Sequence, residues 1–521
     1  MKMMLTLFAL IFTFQSHALS LDFCNDKLGG LPIQQGGRIK PLYVHANETV
    51  KYMTGKSKVD GHSAIEAYCL LSFDSMGVEN KVEWIASIQH YDLRKFLELG
   101  DKKETTFENL LKNKTELITE WRKQKEETSY KKALDQALRR LQLYEEIKNG
   151  ANWKLYDKSG PAEAWLVLPE FLKEDKVLKA KENTSNPFEA VLFQSEKDYI
   201  ADHGSKFKLE LTFAKLRLPV WALFLSLLGL AGLVLTKGNA VPLGFAFTTV
   251  AVQTTYITMR VMISGRAPIT NMYETVLFSG YAALLLALIV GHFKKDRQFI
   301  YVGLAYNFLS IMMINFSGGM LSGSISPLVP VLRDNFWLST HVTAIIISYG
   351  ALALSWILAN TALIKAKTKG ISKQEMIEYT DQIYTCLKYG IVLLAGGIIL
   401  GGVWADYSWG RFWGWDPKET WSLIVLCLYM AILHGKYTSW ISPARFIPLN
   451  ALAFLSVMMA WFGVNYILAS GLHSYGFSEG GAIFLGSFFL IQFIILGITT
   501  KSFLDQFDIK RSSDQIQENP A

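Results

Sequence analysis

The feature that most limits how this chain can fold is a long apolar region, residues 218–500, interrupted only by short polar loops. Its hydrophobic runs of about 17 to 23 residues are long enough to cross a bilayer as helices. Charged residues make up 19% of the 521-residue chain, below the roughly 25% of soluble domains. These properties exclude a soluble enzyme, a disordered chain and a disulfide scaffold. We predict nine transmembrane helices, which start near Pro219, Val241, Met272, Phe299, His341, Tyr384, Glu419, Phe446 and Gly481.

The N-terminal segment predicts export of the region that follows it. Lys2 precedes an apolar run, residues 3–14, and small residues occupy Ser16 and Ala18. This is the pattern of a signal peptide, residues 1–18, cleaved after Ala18, and an uncleaved N-terminal anchor is the alternative. Residues 19–216 have an ordinary charged composition and form a predicted extracytoplasmic domain. The predicted fold class is an all-α polytopic integral membrane protein, preceded by this mainly helical extracytoplasmic domain.

The basic residues of the loops give an independent test of this orientation. If the chain enters the first helix from outside, fourteen Lys and Arg residues fall in inside loops and five in outside loops. This asymmetry follows the positive-inside rule. It assigns residues 217–505 to a membrane domain and residues 506–521 to a cytoplasmic tail. The net charge of +7 is thus a matter of topology, and we expect no nucleic-acid partner. The five outside residues are Arg260, Arg266, Arg333, Arg411 and Lys418.

The extracytoplasmic region contains helical periodicity but no motif that reveals its role. From about residue 104 to 150, the pattern predicts a helix with a packing face formed by Leu134, Leu138, Leu141 and Tyr144. Cys24 and Cys69 either form a disulfide, which an oxidising compartment permits, or remain free thiols. Four isolated histidines are interpreted as surface or helix-capping residues: His45, His62, His90 and His203.

A tryptophan-rich segment, GGVWADYSWGRFWGWDPKETW, lies between the sixth and seventh predicted helices. Scattered tryptophans usually mark a membrane interface. Here Gly410 and Gly414 instead suit a tight backbone, and the charged residues are poor choices for facing lipid. Pro417 is a favoured first-turn residue and Asp416 its cap, so the seventh helix is predicted to begin there. We predict an outward-facing loop, residues 402–421, that forms an aromatic platform for a large flat ligand. Its tryptophans are Trp404, Trp409, Trp413, Trp415 and Trp421.

Three motifs in this half of the chain resemble those of one protein family. WGRFWGWDPKE is similar to the WWD signature, WGxxWxWDxxE, of the haem-handling proteins of cytochrome c maturation. GRAPITNMYE, residues 265–274, and GLHSYG, residues 471–476, resemble other signatures of its CcsA-type branch, also called ResC. The resemblance covers roughly residues 240–500. It implies a membrane subunit of the system II cytochrome c synthase.

Three histidines are candidate ligands of haem iron. His341 follows NFWLST at the predicted outer end of the fifth helix, and His473 lies in GLHSYG after the eighth. Both share the predicted face of the tryptophan loop, and two neutral imidazoles form a standard axial pair for haem iron. His434 lies thirteen residues after Trp421 on the seventh helix, about 20 Å deeper. The resemblance implies that all three bind haem, and His292 is interpreted as an interfacial residue.

The predicted site binds haem without a side-chain general acid or base. Arg266 and Arg411 are candidates for contacting the haem propionates, and Asp416 and Glu419 for shaping the loop. The predicted cofactor-binding residues are His341, His473, His434, Trp404, Trp409, Gly410, Trp413, Trp415, Asp416 and Glu419.

The resemblance implies that the protein moves haem b to the outer face of a bacterial cytoplasmic (inner) membrane. There it presents haem, its substrate, for thioether attachment to the Cys-x-x-Cys-His motif of apocytochrome c. The implied partners are a CcsB-type (ResB) subunit, which supplies a further intramembrane ligand, apocytochrome c, and factors that keep its thiols reduced. A haem exporter or chaperone without ligase activity is the alternative. A secondary transporter unrelated to haem would show inverted repeats, and the sequence shows no such repeat.

Overall fold

The computed structural model of the chain describes residues 23–76, 82–126, 128–159, 164–173, 176–177, 180, 186–317, 320–328, 333–468 and 480–507. The predicted signal peptide and His473 lie outside these described residues. The chain divides into two compact units, Met1–Lys215 and Leu216–Ala521. Each unit is described by itself.

The N-terminal unit combines helices with four two-stranded antiparallel sheets among its described residues. The sheets pair β1 with β2, β3 with β4, β5 with β6 and β7 with β8. These strands are Pro32–Gln35, Arg38–Pro41, Lys58–Val59, His62–Ser63, Ile85–Ser87, Glu104–Thr106, Lys154–Asp157 and Ala164–Val167. The helices α1 to α9 are Leu42–Thr54, Ala64–Ser72, Tyr91–Phe96, Phe107–Lys112, Lys114–Lys123, Ser129–Lys148, Leu168–Phe171, Pro187–His203 and Lys208–Leu216. The short strands were not predicted from the sequence.

The predicted helix of residues 104–150 is divided in the structure. Its first residues form β6, and three helices, α4 to α6, follow. Local capping explains the divisions, because the side chain of Thr106 caps α4 and that of Thr128 caps α6. Each cap satisfies a backbone N–H that would otherwise lack a partner at a helix start. On α6 the predicted packing face is confirmed for the buried residues Leu134, Leu141 and Tyr144.

The core of this unit contains a disulfide and an unexpected buried histidine. Cys24 and Cys69 form a disulfide and are not free thiols, which decides between the two alternatives left open by the sequence. The interpretation of His45 as a surface or capping residue was wrong, because its side chain is 3% exposed on the inner face of α1. Its Nε2 lies 2.6 Å from Asn152 Oδ1 and 3.1 Å from the Tyr68 hydroxyl. The pKa of His45 is lowered to about 4, chiefly by burial and also by nearby Lys40, while the hydrogen bond with Asn152 acts in the opposite direction.

The membrane unit contains nine helices, among the described residues, that are long and apolar enough to cross a membrane. This confirms the predicted polytopic all-α fold. The helices α10 to α18 are Leu218–Leu235, Ala240–Ser264, Met272–Lys294, Arg297–Phe316, Asn335–Thr368, Lys373–Trp409, Pro417–Tyr437, Pro443–Leu468 and Gly481–Phe507. Helix α14 is central and packs against α12, α13, α15, α17 and α18.

Two of the membrane helices change their winding where they approach the site described below. Helix α14 contains a π-helical turn at Leu338–Val342, and the last part of α17, Met459–Leu468, is π-helical. Wider π turns redirect side chains relative to a regular α-helix and are frequent at functional sites. The first of these turns contains His341.

The predicted tryptophan loop, residues 402–421, is mostly helical, so its predicted extent was wrong. Helix α15 continues through Trp409, and α16 starts at Pro417, which leaves only residues 410–416 as a linker. The polypeptide turns at Gly410, whose φ of 67° is in the left-handed region that glycine adopts easily. The aromatic residues before Gly410 are compatible with a helix, and their hydrophobicity carried no information about where the helix would end.

Candidate functional site

A cavity lies where the N-terminal ends of α12, α14 and α16 meet the C-terminal ends of α15 and α17. About 1190 Å³ of empty volume lies within it, including space open to solvent. We call this part of the molecule the cavity end. The lining residues are Ile269, Thr270, Asn271, Met272, Thr275, Leu338, His341, Val342, Ile345, Ile346, Tyr349, Ile398, Gly401, Gly402, Trp404, Trp409, Phe412, Trp413, Lys418, Glu419, Ser422, Ala460, Trp461 and Asn465.

His341 is fixed in the cavity wall by contacts with α15. Its Nδ1 lies 2.7 Å from the Gly397 carbonyl oxygen, so Nδ1–H donates and the neutral ring carries its lone pair on Nε2. The ring packs on Gly401, where an added methyl group would lie 2.5 Å from His341 Cε1. The edge of the His341 ring meets the Trp404 ring, with centroids 5.8 Å apart. This hydrogen bond to a backbone carbonyl is the arrangement that orients a metal-binding histidine.

Three of the predicted tryptophans line the cavity. Trp404 and Trp409 belong to the end of α15, and Trp413 lies in the linker. Trp415 is not among the lining residues, although its ring meets Trp413 edge to face at 5.9 Å. It is 70% exposed, and its φ of 56° is unusual for a bulky residue. Trp421 lies on α16 and is also absent from the lining.

The linker is held in shape by the two predicted acidic residues. Asp416 caps α16 and forms a capping box with Glu419, as the sequence indicated for the start of this helix. Glu419 Oε2 accepts from the backbone N–H groups of Gly414 at 2.7 Å and of Asp416 at 3.2 Å. Its Oε1 lies 3.4 Å from Arg411 Nη1. Both carboxylate oxygens of Glu419 are therefore engaged inside the linker.

The two arginines proposed for propionate contacts bind other protein groups. Arg411 pairs with Glu419 and lies over the Trp409 ring. Arg266 donates to the Ser326 carbonyl oxygen at 2.7 Å. Neither arginine lines the cavity, whereas Lys418, which the sequence had suggested only as a topological charge, does.

The GRAPITNMYE motif forms one wall through a buried ion pair. Arg260, predicted in an outside loop, lies instead in α11 and is 0% exposed, next to Glu274, which is 1% exposed. Arg260 Nε donates to Glu274 Oε1 at 2.8 Å, and Glu274 Oε2 accepts from the Thr270 backbone and hydroxyl, each at 2.7 Å. Such a pair is stable when its remaining hydrogen bonds are satisfied. It positions the segment 269–272 along the cavity.

Sequence reasoning missed the wall contributed by α17. Trp461 and Asn465 line the cavity, and Trp461 Nε1 donates to the Thr275 hydroxyl at 3.2 Å. Asn465 Nδ2 donates to the Trp461 carbonyl oxygen at 2.6 Å. Trp461 and Asn465 are four residues apart in an apolar run, so they lie on one helix face. This spacing was the sequence signal that could have identified the wall.

His434 and His292 lie away from the cavity. His434 is exposed on α16, and its Nδ1 donates to the Met430 carbonyl oxygen at 2.8 Å, so its neutral ring also carries the lone pair on Nε2. His292 is exposed near the C-terminal end of α12, beside Phe293. Among the described residues no three His, Cys, Asp or Glu side chains cluster as a metal site.

The fold and the cavity define a class: a multi-pass helical membrane protein with a tryptophan-rich pocket that presents a fixed imidazole. Residues 269–473 match the family model described as cytochrome C assembly protein. The chain is 33% identical over 274 residues to cytochrome c biogenesis protein CcsA of Guillardia theta, covering 47% of this chain and 89% of that protein. It is 35% identical over 221 residues to CcsA of Chlamydomonas reinhardtii, covering 41% and 62%. The chain therefore belongs to the CcsA family of cytochrome c biogenesis proteins.

A second kind of relative extends beyond the membrane unit. Protein NrfI of Wolinella succinogenes is 31% identical over 391 residues, which cover 67% of this chain and 42% of NrfI. The match covers a larger share of the chain than the membrane unit, which makes up about 59% of it. Part of the match must therefore lie in the N-terminal unit. The N-terminal unit is thus partly shared with a relative more than twice as long as the matched region.

Proposed function

We propose that this protein is the haem-presenting membrane subunit of a cytochrome c synthase. The observation that carries the proposal is the cavity, which is open to solvent and lined by one oriented imidazole and three tryptophans. Apolar and aromatic walls with a few placed polar groups are typical of cofactor pockets. Haem b is the proposed substrate, and the family's role in cytochrome c biogenesis supports this choice.

His341 and His473 are the proposed axial ligands of haem at the cavity end. The Gly397 carbonyl holds the tautomer of His341 in which Nε2 has the lone pair needed for iron. Trp404, Trp409 and Trp413 would cover the macrocycle, with Trp415, Gly410, Asp416 and Glu419 as the rest of the proposed site. The tryptophans contribute binding and orientation, while the reactivity belongs to the porphyrin and the thiols.

The proposed attachment reaction needs no side-chain acid or base from this chain. Each cysteine thiol of the apocytochrome adds across one vinyl double bond, with sulfur bonding to one carbon and hydrogen to the other. This addition consumes no oxidant or reductant, provided that the thiols arrive reduced, which is the role proposed for thiol-reducing partners. The apocytochrome histidine replaces one axial ligand, and the protein's contribution is to hold haem in a productive orientation.

His434 is the proposed ligand of an earlier, intramembrane haem position. It lies on α16, the helix that follows the linker, about 20 Å beyond Trp421. An imidazole exposed on a membrane helix is costly unless a partner satisfies it. We therefore propose that a CcsB-type subunit covers this part of α16 and supplies the second ligand.

The proposed location is the bacterial cytoplasmic membrane, with the N-terminal domain and the linker outside and the C-terminus in the cytoplasm. The proposed domains remain residues 1–18 as signal peptide or anchor, 19–216 as extracytoplasmic domain, 217–505 as membrane domain and 506–521 as tail.

The experiment that tests the proposal is purification of the full chain with and without a CcsB-type partner, followed by haem spectra and an assay of holocytochrome c formation. Haem bound by the complex and attachment to a co-expressed apocytochrome support the synthase function. Haem binding and export without attachment would select the exporter alternative. Absence of a haem absorption band in both preparations would refute haem handling altogether.

A further inference from the structure

We infer that Lys418 binds a carboxylate of the porphyrin and thereby sets the orientation of the ring in the cavity. This inference rests on the proposed haem function and adds a residue that positions the substrate. Among the described residues that line the cavity, Lys418 is the one Lys or Arg side chain. Its backbone is fixed by the first turn of α16, where its N–H donates to Asp416 Oδ1 at 2.8 Å.

The surrounding charges, which include Asp416 beside Lys418, permit this role. Glu419, the carboxylate in the same wall, already accepts two backbone N–H groups and pairs with Arg411. The linker and the first turn of α16 hold two acidic and two basic side chains, which together carry no net charge. An added carboxylate would therefore meet no uncompensated negative charge at this position.

The substrate chemistry requires such a group. Haem b carries two propionate carboxylates at one edge of an otherwise apolar ring. A carboxylate taken from water into a largely apolar cavity is costly unless a charged partner accompanies it. A second donor belongs to the same cavity lining, because the buried Nε1–H of Trp404 has no acceptor among the described residues.

The arrangement orients the ring because its two anchor points lie on different helices. His341 on α14 is the proposed iron ligand, and Lys418 is on α16. With the iron fixed by His341, an ion pair at Lys418 fixes the propionate edge near the start of α16. It thereby directs the opposite edge, which carries no carboxylates, away from Lys418. Rotation of the ring about the iron axis is then restricted.

The test compares haem b with its dimethyl ester, which keeps the ring, iron and vinyl groups but lacks ionised carboxylates. Both are titrated into the purified full-length complex. Because hydrogen bonds to charged groups are relatively strong, we expect wild-type protein to bind haem b about tenfold to a hundredfold more tightly than the ester. K418Q should lose this preference while its affinity for the ester stays unchanged, and K418R should keep part of it. K436Q, which changes a lysine at the other end of α16, should behave like wild type.

Two outcomes overturn the inference: no preference in wild-type protein, or the wild-type preference retained in K418Q. Wild-type protein that binds neither probe would instead refute the proposed haem function. If K418Q binds neither probe, zero-length carbodiimide coupling of haem to wild-type protein tests whether Lys418 contacts a propionate. The coupling joins Lys418 Nζ to a propionate carbon as an amide, with loss of water. Mass spectrometry should find this haem adduct at Lys418, and an adduct only at other lysines would exclude the contact.

Discussion

The two ends of helix α16 differ in how completely this chain builds a site. At the cavity end, five helices surround a pocket, and His341 is oriented by a carbonyl of the neighbouring α15. Toward the other end, His434 is exposed and hydrogen-bonded only within its own helix in the contacts described above. The comparison teaches that the haem position proposed at the cavity end is preorganised within this chain, whereas the position proposed at His434 would need a surface from a second chain.

The largest expected effect is loss of the iron ligand at the cavity end. We expect His341→Gly, and equally His473→Gly, to abolish cytochrome c maturation, because each removes a proposed axial ligand. Added imidazole should restore part of the activity by occupying the vacant position on iron. The measurement is holocytochrome c yield with and without imidazole. Wild-type yield from either glycine variant would show that the axial pair is assigned wrongly.

The next effect separates the two ends of the membrane unit. We expect His434→Ala to abolish maturation and leave the cavity without haem, although His341 and the tryptophans are intact, because haem would not reach them. The matched control is His292→Ala, which changes another exposed histidine and should be nearly silent. Both expectations are checked by measuring the haem content of each variant purified with the CcsB-type partner. A haem-loaded membrane position in this chain alone, dependent on His292, would contradict the two-subunit arrangement.

A smaller effect is expected from crowding His341 without removing it. In Gly401→Ala the added methyl group must displace the imidazole, which weakens its hydrogen bond to Gly397. A net hydrogen bond contributes about 1 kcal/mol, so haem affinity should fall about fivefold. Gly396→Ala is the control on the same helix, because a methyl group there meets no atom within 4 Å. Equal haem affinity in the two variants would show that the orientation of His341 does not matter.

Single tryptophans should matter less than the histidines. Trp413→Ala removes a lining ring, and an aromatic contact contributes on the order of 1 kcal/mol beyond area burial, or about a fivefold loss of haem affinity. Trp415→Ala should lower affinity less, since its ring touches Trp413 rather than the cavity. Trp440→Ala, which changes an exposed tryptophan beyond α16, is the control. Loss of protein from the membrane with unchanged haem occupancy would favour the interfacial-belt interpretation.

The N-terminal unit offers a contrast, a histidine buried in a protein core and hydrogen-bonded there. The pKa of His45 is about 4 when folded, below its ordinary value of 6.5, so the unfolded unit binds a proton first as the pH falls. Stability should be complete above pH 6.5 and decline by up to about 3 kcal/mol toward pH 4. Hydrogen exchange of α1 in the full chain measures this, and His45→Gln should flatten the decline. His62→Gln, at a partly exposed position, should not change it, and a similar acid response in both variants would contradict the assignment.

Much of the membrane unit was determined locally by the sequence. Nine apolar runs predicted nine helices, because bilayer thickness sets a minimum length that composition alone reveals. The start of α16 was equally readable, since Asp416 and Pro417 act on backbone groups within a few residues of themselves. The three family motifs likewise identified the family, because a resemblance depends only on the order of residues.

Only the tertiary structure decided how the site is assembled. His341 is oriented by the carbonyl of Gly397, 56 residues away, and packs on Gly401, a contact that no local pattern encodes. The exclusion of Trp415 from the cavity follows from the backbone of a seven-residue linker, whose length depended on how far α15 continued. Arg260, which the sequence placed in a loop, is instead buried in a helix, and its ion pair with Glu274 supports one wall of the cavity. Each of these features joins residues from different helices, and packing between helices decides which of them meet.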